Sequence, residues 1–407
     1  MSRPRRNDPC SCGSGKKYKR CCLDSDAAYD RVERLRGQIS PADPALIAEV
    51  MPILQANIAK HQADERRLRD EFGVHINYVR PTQWKHGKVW AIGHRVYPSR
   101  PANETFDEFI LHVLAGTFGK SWREEQAAFP ESQQHFVFRC FERWTAFKAE
   151  HFDAEMYERH GVVSSEPNGW VTYLISLAWD VATLIHASAL PDTLLGRLRN
   201  AEQFQGARYE IAIAAIFARL DCEIRWLDED ESLHGVAHVE FEAEHRPTGQ
   251  VFAVEAKSRR RRGVINEPGE RDDDSLRGDA RGVRRLFANA MKKPPEGVPF
   301  FVFIDVNAPL EAAVQSRWQS DAQAWIRRLP APTVENPDVF NSLFVTNFSP
   351  HYDGDDVSQS GTWLEVSPLF VSEPLIADLH TPLRSALNTY GRVPPFSQDG
   401  LLEPALG

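Results

Sequence analysis

The sequence predicts a mixed α/β (α+β) fold in three parts: a small cysteine-rich module, a mostly helical middle region, and a C-terminal domain in which helices flank a mixed sheet. Three observations support this division. Four of the six cysteines lie within the first 22 residues. Apolar residues recur at helical spacing over most of residues 106–198, whereas residues 201–309 alternate between helical and strand-like patterns. We therefore expect domains at residues 1–25, 30–195 and 196–395.

The cysteines of the first part occur as two close pairs. Cys10 and Cys12 are separated by one residue, Cys21 and Cys22 by none, and a basic, glycine-rich segment joins the pairs. Four thiolates brought together by a short turn suit a closed, structural Zn²⁺ site. A disulfide pair or four free thiols are the alternatives. The sequence shows no apolar signal segment, which would have indicated an oxidising compartment. We therefore expect a zinc site and a cytoplasmic protein.

The composition is that of an ordinary water-soluble protein, with 42% hydrophobic and 26% charged residues. A net charge of −9 does not by itself indicate nucleic-acid binding, yet residues 1–22 carry seven Lys or Arg against one Asp. Such local basic patches matter more for phosphate contact than the total charge. The most apolar stretch, Trp170–Leu190, contains Asp180 and His186, which favours a buried helix over a membrane span.

The middle region is predicted to be mostly helical. Ala45–Phe72 has apolar residues spaced for one helix face, and Phe106–Leu198 is helical with interruptions at Pro130 and Pro167. Between them, Val74–Tyr97 alternates apolar residues with glycine and proline, which indicates short strands and turns. The residues of this region suggest no particular chemistry.

The C-terminal part is predicted to begin with a strongly apolar helix, Ala201–Leu220, which carries Glu210. After it, strand and helix patterns alternate along the chain. The predicted strands are Cys222–Trp226, Val239–Glu244, Val251–Lys257, Phe300–Val306 and Ser342–Asn347, and the predicted later helices are Leu286–Lys293 and Leu310–Leu329.

Acidic residues and a lysine gather on two of these strands. Glu255 and Lys257 are two residues apart and so share a strand face, and a hairpin with the preceding strand brings Glu240 or Glu242 close to Glu255. Neighbouring carboxylates repel unless a cation lies between them, which favours an oxygen-preferring metal such as Mg²⁺. Lys257 beside it can orient or deprotonate water, or stabilise charge on a phosphate. A solvated strand face is the alternative.

The N-terminal run resembles a known zinc-binding motif. Cys-x-Cys, a Ser-Gly-Lys-Lys-Tyr-Lys core and a final Cys-Cys over residues 6–23 resemble the SEC-C motif, first named from the tail of the SecA translocase. The resemblance implies that Cys10, Cys12, Cys21 and Cys22 are the zinc ligands. It also makes a protein partner of this module plausible.

Residues 200–310 resemble the PD-(D/E)xK nuclease superfamily, which has the restriction-endonuclease-like fold. In that superfamily a helix acidic residue, an Asp at a strand start and a Glu-x-Lys strand form the metal and catalytic site. The resemblance implies catalytic roles for Glu210, Glu240, Glu255 and Lys257, with Mg²⁺ at Glu240 and Glu255. The chain departs from the pattern at the Asp position, for which Glu240 and Glu242 compete.

Together these resemblances imply a zinc-binding SEC-C protein with a Mg²⁺-dependent nuclease domain that hydrolyses nucleic-acid phosphodiesters. The basic run Arg259–Arg262 leaves the Glu-x-Lys strand in a loop that we expect to be mobile and able to contact phosphates. The alternative is a non-catalytic zinc-motif adaptor or a translocase-associated binding protein with a degenerate nuclease fold. The Glu at the Asp position favours that alternative.

Overall fold

The computed structural model of this chain describes most of its second half and parts of its first. The described residues are 7–9, 16–20, 59–60, 62–75, 82–84, 87–93, 95–98, 104–160, 162–227, 238–265, 279–292, 294–376 and 378–394. The chain divides into two compact units, Met1–Ala63 and Asp64–Gly407.

In the first unit, two described segments lie near the cysteines: residues 7–9 precede the first pair, and residues 16–20 lie between the two pairs. Pro9 and Lys17 form an antiparallel β-bridge, and the Tyr18 N–H donates to the Asp8 carbonyl at 2.8 Å. A single 3₁₀ turn, Tyr18–Arg20, follows and buries the Tyr18 side chain. The segments before and after the first cysteine pair are therefore antiparallel at this bridge, whereas Cys10, Cys12, Cys21 and Cys22 themselves lie outside the described residues.

The first half of the second unit is mostly helical, as the sequence predicts. Thr105 and Asn168 start two of its helices, because their side chains accept hydrogen bonds from the N–H groups of Glu108 at 3.2 Å and Val171 at 3.0 Å. Within the described part of the chain, no helix is long and apolar enough to cross a membrane. The helices are α1 (residues 62–72), α2 (Phe106–Phe118), α3 (Lys120–Ala128), α4 (Phe136–Glu150), α5 (Ala154–His160), α6 (Gly169–His186) and α7 (Asp192–Arg199).

A small antiparallel sheet stands where the sequence predicts short strands. It contains β1 (Thr82–Trp84), β2 (Gly87–Ile92) and β3 (Arg95–Pro98) in that order. Trp90 is buried and stacks on Phe109 of α2, with ring centroids 4.8 Å apart. This sheet is therefore packed onto the helical part of the unit.

The second half of the unit is built around a six-stranded mixed sheet, which confirms the predicted α/β class. Its strands lie in the order of the chain: the first three are antiparallel, the third to fifth parallel, and the sixth antiparallel to the fifth. The strands are β4 (Cys222–Trp226), β5 (Phe241–His245), β6 (Gln250–Ser258), β7 (Phe300–Asp305), β8 (Ser342–Asn347) and β9 (Thr362–Val366).

Helices cover both faces of this sheet. The helices are α8 (Phe204–Arg219), which precedes β4, α9 (Asp279–Ala290) and α10 (Ala312–Ile326), which connect the parallel strands, and α11 (His380–Asn388). Alternate strand residues face opposite layers: Phe301 and Phe303 pack with α8, whereas Phe300, Val302 and Ile304 pack with α9 and α10. The two central parallel strands, β7 and β8, are accordingly buried at every position.

Helix α8 is the central element of the unit. All of its residues except Gly206 are buried. At its start Phe204 lies edge-on to His135, with ring centroids 4.7 Å apart, and near its end Phe217 packs against Phe301 and Phe303 of the sheet. The helical part and the sheet thus share one hydrophobic core. The predicted domain bounds at residues 30, 195 and 395 stay a prediction.

A buried ion pair connects α6 with α8, and a hydrogen bond connects it with Tyr390, which follows α11. Arg219 donates to Asp180 at 2.9 Å, and the Tyr390 hydroxyl donates to the other Asp180 oxygen at 2.9 Å. Burial raises the pKa of Asp180 to about 6, although Arg219 and Tyr390 both oppose the rise. The folded protein therefore holds a proton here at acidic pH values at which the unfolded chain has already released it.

Replacing Asp180 with asparagine should change how stability depends on pH. Because the pKa rises from 3.8 to about 6 on folding, this group stabilises the fold fully below pH 3.8 and loses that contribution as the pH rises through about 6. Urea titrations at several pH values should show wild type losing on the order of 3 kcal/mol relative to Asp180→Asn across this window. Parallel pH profiles for the two proteins would contradict this assignment.

Candidate functional site

The ammonium group of Lys257 contacts two carboxylates at the end of β6. It donates to Glu240 and lies 3.2 Å from Glu255 Oε1. The register pairs Phe241 with Val254, so the next positions, Glu240 and Glu255, face each other across β5 and β6. Glu255 is only 1% exposed, and the Glu240 side chain is 12% exposed. The structure therefore brings three of the four predicted residues into one cluster.

Lys257 is held as a cation in this cluster. Burial by itself lowers the pKa of a lysine, but the negative charges of Glu240 and Glu255, with their hydrogen bonds, outweigh burial and raise the pKa of Lys257 above its usual range. A lysine that keeps its proton stabilises negative charge and does not remove a proton from water. Of the roles that the sequence suggests, orienting water and stabilising charge on a phosphate fit a protonated lysine, whereas deprotonating water does not.

Glu210 of α8 interacts electrostatically with Glu240 and Lys257 of this cluster. Burial raises the pKa of Glu210, the charge of Glu240 raises it further, and Arg197 and Lys257 oppose the rise. Arg197 of α7 clamps Glu210 with two hydrogen bonds of 2.7 Å, one to each carboxylate oxygen. Glu210 is thus part of the same electrostatic site, although both of its oxygens are engaged by Arg197.

Glu242, the competitor for the Asp position, has a different partner. It lies opposite Arg225 of β4, which donates to Glu242 Oε2 at 2.5 and 3.2 Å. Glu240 precedes β5, which begins at Phe241, whereas Glu242 lies within the strand and is fixed to its neighbour. Of the two glutamates, Glu240 is therefore the one that contacts Lys257.

A buried network around Asp305 supports the end of β6. Arg208 of α8 donates to Asp305 at 2.6 Å and to the Phe348 carbonyl at 3.2 Å. Ser258, next to Lys257, donates to Asp305 at 3.0 Å, and the N–H groups of Asn307 and Phe348 donate to its other oxygen at 3.3 Å. We call these five residues the Asp305 network. It fixes the strand end that carries Lys257 relative to α8.

The start of the basic loop after β6 is held in place, where the sequence predicts mobility. Gln205 donates to the carbonyls of Arg261 and Val264 at 2.9 and 2.5 Å and accepts from the Arg261 N–H at 3.0 Å. Asn307 donates to the Arg259 carbonyl at 3.1 Å. Residues 259–265 are thus fixed to the layer that carries Glu210, while residues 266–278 lie outside the described residues.

The four arginines of this loop have different environments. Arg261 is 7% exposed and donates to the Val306 carbonyl at 3.3 Å, so it is a structural residue. Arg259 is half-buried against Gly282 of α9, with its Nε 3.0 Å from the position that a Cβ would take there. Arg260 and Arg262 are exposed. The surface charge of the loop therefore comes mainly from these last two.

Sequence reasoning missed three residues of this neighbourhood. No local sequence pattern marks Arg197 as a site residue, because its partner Glu210 lies on the next helix. Gln205 lies inside an apolar helix, where its role depends on a loop 56 residues later. Asp305 ends an otherwise apolar strand, and Asn307 follows it. Polar residues at the end of a buried parallel strand often indicate a functional site, so the sequence does contain a signal for Asp305.

Metal ligands are not evident from geometry alone. Across the described ranges, no group of three or more His, Cys, Asp or Glu side chains is placed to hold a metal ion. Glu240 and Glu255 form a pair of carboxylates rather than such a group, and the predicted Zn²⁺ ligands lie outside the described residues.

Comparison with known proteins bears on the first part of the chain. Residues 6–24 match the SEC-C motif family. No curated protein and no solved structure matches the chain. The SEC-C resemblance is therefore confirmed and suggests a zinc-binding module, whereas the nuclease interpretation stays a prediction.

Proposed function

We propose that this protein binds Zn²⁺ through its SEC-C motif and hydrolyses nucleic-acid phosphodiesters with Mg²⁺ at the Glu240–Glu255–Lys257 cluster. The observation that carries the proposal is the contact of one lysine ammonium with two facing carboxylates, one of them buried. Withdrawing charged groups from water is costly unless the charges compensate one another. Perturbed charged groups of this kind are typical of active sites.

The order of the surrounding helices and strands also supports the nuclease proposal. A helix with an acidic residue (α8), three antiparallel strands (β4–β6), a crossover helix (α9) and a parallel strand (β7) follow one another. This is the order in which the PD-(D/E)xK resemblance places its acidic helix, its Asp strand and its Glu-x-Lys strand. We assign Glu210, Glu240, Glu255 and Lys257 to those places.

The donor set suits Mg²⁺. Glu240 and Glu255 supply only carboxylate oxygens, and Mg²⁺ is commonly held by one or two carboxylates together with water and substrate phosphate. When bound, the metal makes water more acidic and neutralises charge on the phosphate. The pair therefore suffices without a third protein ligand, and Glu210, clamped by Arg197, adds negative charge nearby.

The chain's own residues then have distinct roles. Lys257 stays protonated and offsets the charge that builds on the scissile phosphate in the transition state. Glu240 and Glu255 hold both the lysine and the metal. The exposed Arg260 and Arg262 lie on a loop fixed by Gln205 and contact backbone phosphates of the nucleic acid. The Zn²⁺ module, with four thiolates and no open position, is structural and docks a partner protein.

A second function, that of a non-catalytic adaptor, is favoured by one observation. Glu stands at the position where the PD-(D/E)xK pattern has Asp. In that case the zinc module recruits a partner and the sheet domain binds nucleic acid without cleaving it.

A cleavage assay separates the two functions. Purified protein is incubated with single- and double-stranded DNA and RNA in Mg²⁺, in Mn²⁺ and in a chelator. The nuclease proposal expects cleavage that requires the divalent ion. Binding without cleavage under every condition would favour the adaptor, and neither binding nor cleavage would contradict both.

Zinc binding is tested independently of cleavage. Wild type should contain about one Zn²⁺ per chain, because four thiolates form one closed tetrahedral site. Cys21→Ser should lose most of it, and Ser11→Ala, which changes a non-ligand residue of the same motif, should keep it. Elemental analysis of the purified proteins gives the stoichiometry. Equal zinc in wild type and Cys21→Ser would contradict the ligand assignment.

A further inference from the structure

The helical part contains a cavity of about 640 Å³ that shares no residue with the Glu240–Glu255–Lys257 cluster. It lies among α2, α4, α5 and the start of α6, and its volume is within the range of pockets that bind small organic molecules. The residues that matter for its chemistry are Glu108, Trp144, Phe147, Lys148, Phe152 and Tyr157. We call this cavity the aromatic pocket.

Aromatic rings line this pocket on two sides. Trp144 and Phe147 are three residues apart on one face of α4, and His151, the residue that follows the helix, continues this row four residues later. The rings of Phe147 and His151 stack with centroids 4.1 Å apart. Phe152 and Tyr157 supply further rings and are 58% and 43% exposed. Large aromatic side chains left in contact with water around a cavity indicate a binding site rather than a core.

The structure itself places a cation on one of these rings. The Lys148 ammonium lies 3.8 Å from the centre of the Trp144 ring and 3.4 Å from Glu108 Oε1. A cation over a tryptophan face is attracted by the negative face of the ring. The Lys148 side chain is 46% exposed, so it can leave the ring for water with little loss.

The charges around the pocket discriminate between ligands. Asp107 and Glu108 supply two carboxylates and Lys148 one ammonium, so acidic side chains outnumber basic Lys and Arg side chains in the lining. The N-terminus of α2 is the positive end of the helix dipole and offsets about half of one negative charge. Nucleobases and organic cations both bind to aromatic walls. A nucleotide brings phosphate, which this rim repels, whereas a cation gains from both the rings and the carboxylates.

We propose that the aromatic pocket binds an organic cation with an apolar body, such as a quaternary or aromatic ammonium compound, with its charge over Trp144 in the place of the Lys148 ammonium. The Lys148 side chain is then a built-in competitor for the site. Removing it should therefore strengthen binding, whereas removing the ring should weaken it.

Titration calorimetry with benzyltrimethylammonium tests this on the full-length protein. Trp144→Leu should weaken binding by roughly threefold to thirtyfold, and Trp144→Phe by less, because a smaller ring remains. Lys148→Met should tighten binding. Lys120→Met, which removes a positive charge from the neighbouring helix outside the pocket, should leave binding unchanged. Thermal unfolding of each variant checks that the fold is intact.

Two further probes give outcomes that would overturn the proposal. Benzyl alcohol, which keeps the ring and lacks the charge, should bind more weakly; equal binding would mean that the pocket is merely apolar. Adenosine monophosphate should not bind; tighter binding than the cation, lost in Lys148→Met, would make this a nucleotide site. Absence of cation binding to wild type at millimolar concentrations, or weaker binding to Lys148→Met, would also contradict it. None of these results depends on nuclease activity.

Discussion

Replacing Lys257 with alanine should reduce Mg²⁺-dependent cleavage by roughly a hundredfold to a thousandfold, the usual loss when a fixed charge that stabilises a transition state is removed. The reason is structural: Lys257 is the cation that contacts both Glu240 and Glu255, and its raised pKa keeps it charged. Binding of Mg²⁺ should persist or tighten, because the two carboxylates lose their competing partner. Cleavage rates and Mg²⁺ calorimetry on the same preparation measure both effects.

A matched pair of glutamate variants controls for the loss of acidic charge. Glu240→Gln should lose cleavage, because Glu240 contacts Lys257. Glu242→Gln removes the same charge two residues further along, where the side chain pairs with Arg225, and should keep cleavage. Equal loss in both variants, or full activity of Lys257→Ala, would contradict the assignment of the site.

Replacing Asp305 with alanine should lower the free energy of unfolding by about 3–5 kcal/mol, which is typical when one partner of a buried ion pair is removed. The side chains of Asp305 and Arg208 are 0% and 4% exposed, and Asp305 accepts from Arg208, Ser258 and two backbone N–H groups. Its removal leaves a buried guanidinium and several donors without an acceptor. Urea denaturation measures the change.

An exposed ion pair provides the control for this prediction. Glu242→Ala removes a carboxylate whose partner, Arg225, has a side chain 59% exposed, so we expect a loss of only about 0–1 kcal/mol. Asp305→Asn, which keeps the shape but not the charge, should fall between the two. A loss below about 1 kcal/mol for Asp305→Ala would show that the Asp305 network relaxes around the missing group.

The elements of the sheet domain could be predicted from sequence to a large extent. Cys222–Trp226 and Ser342–Asn347 have the predicted bounds, and β6 extends the predicted Val251–Lys257 by one residue at each end. These segments are short apolar runs between turn residues, which is a strong local signal. Helix α9 begins seven residues before the predicted Leu286, because its first two turns are rich in charged residues and glycine, although Val283, Leu286 and Phe287 lie at helical spacing.

The candidate site could be predicted only in its residue types. Period-two alternation places Glu240 and Glu242 on the same strand face, so the sequence cannot choose between them. The choice depends on where β5 begins and on Arg225 of the neighbouring strand. The partners of Glu210, Arg208 and Asp180 lie 13, 97 and 210 residues away along the chain, and no local pattern reports such pairs.

Helix α8, buried on every side, makes the two halves of the second unit inseparable. A fragment that began near residue 196 would retain the sheet and the Glu-x-Lys strand, but it would leave Phe204 and the neighbouring apolar surface facing water. Such a fragment is a candidate for aggregation rather than for an isolated catalytic domain. The helical region therefore completes the hydrophobic core that covers one face of the sheet. The smallest fragment suited to expression contains both the helical region and the sheet.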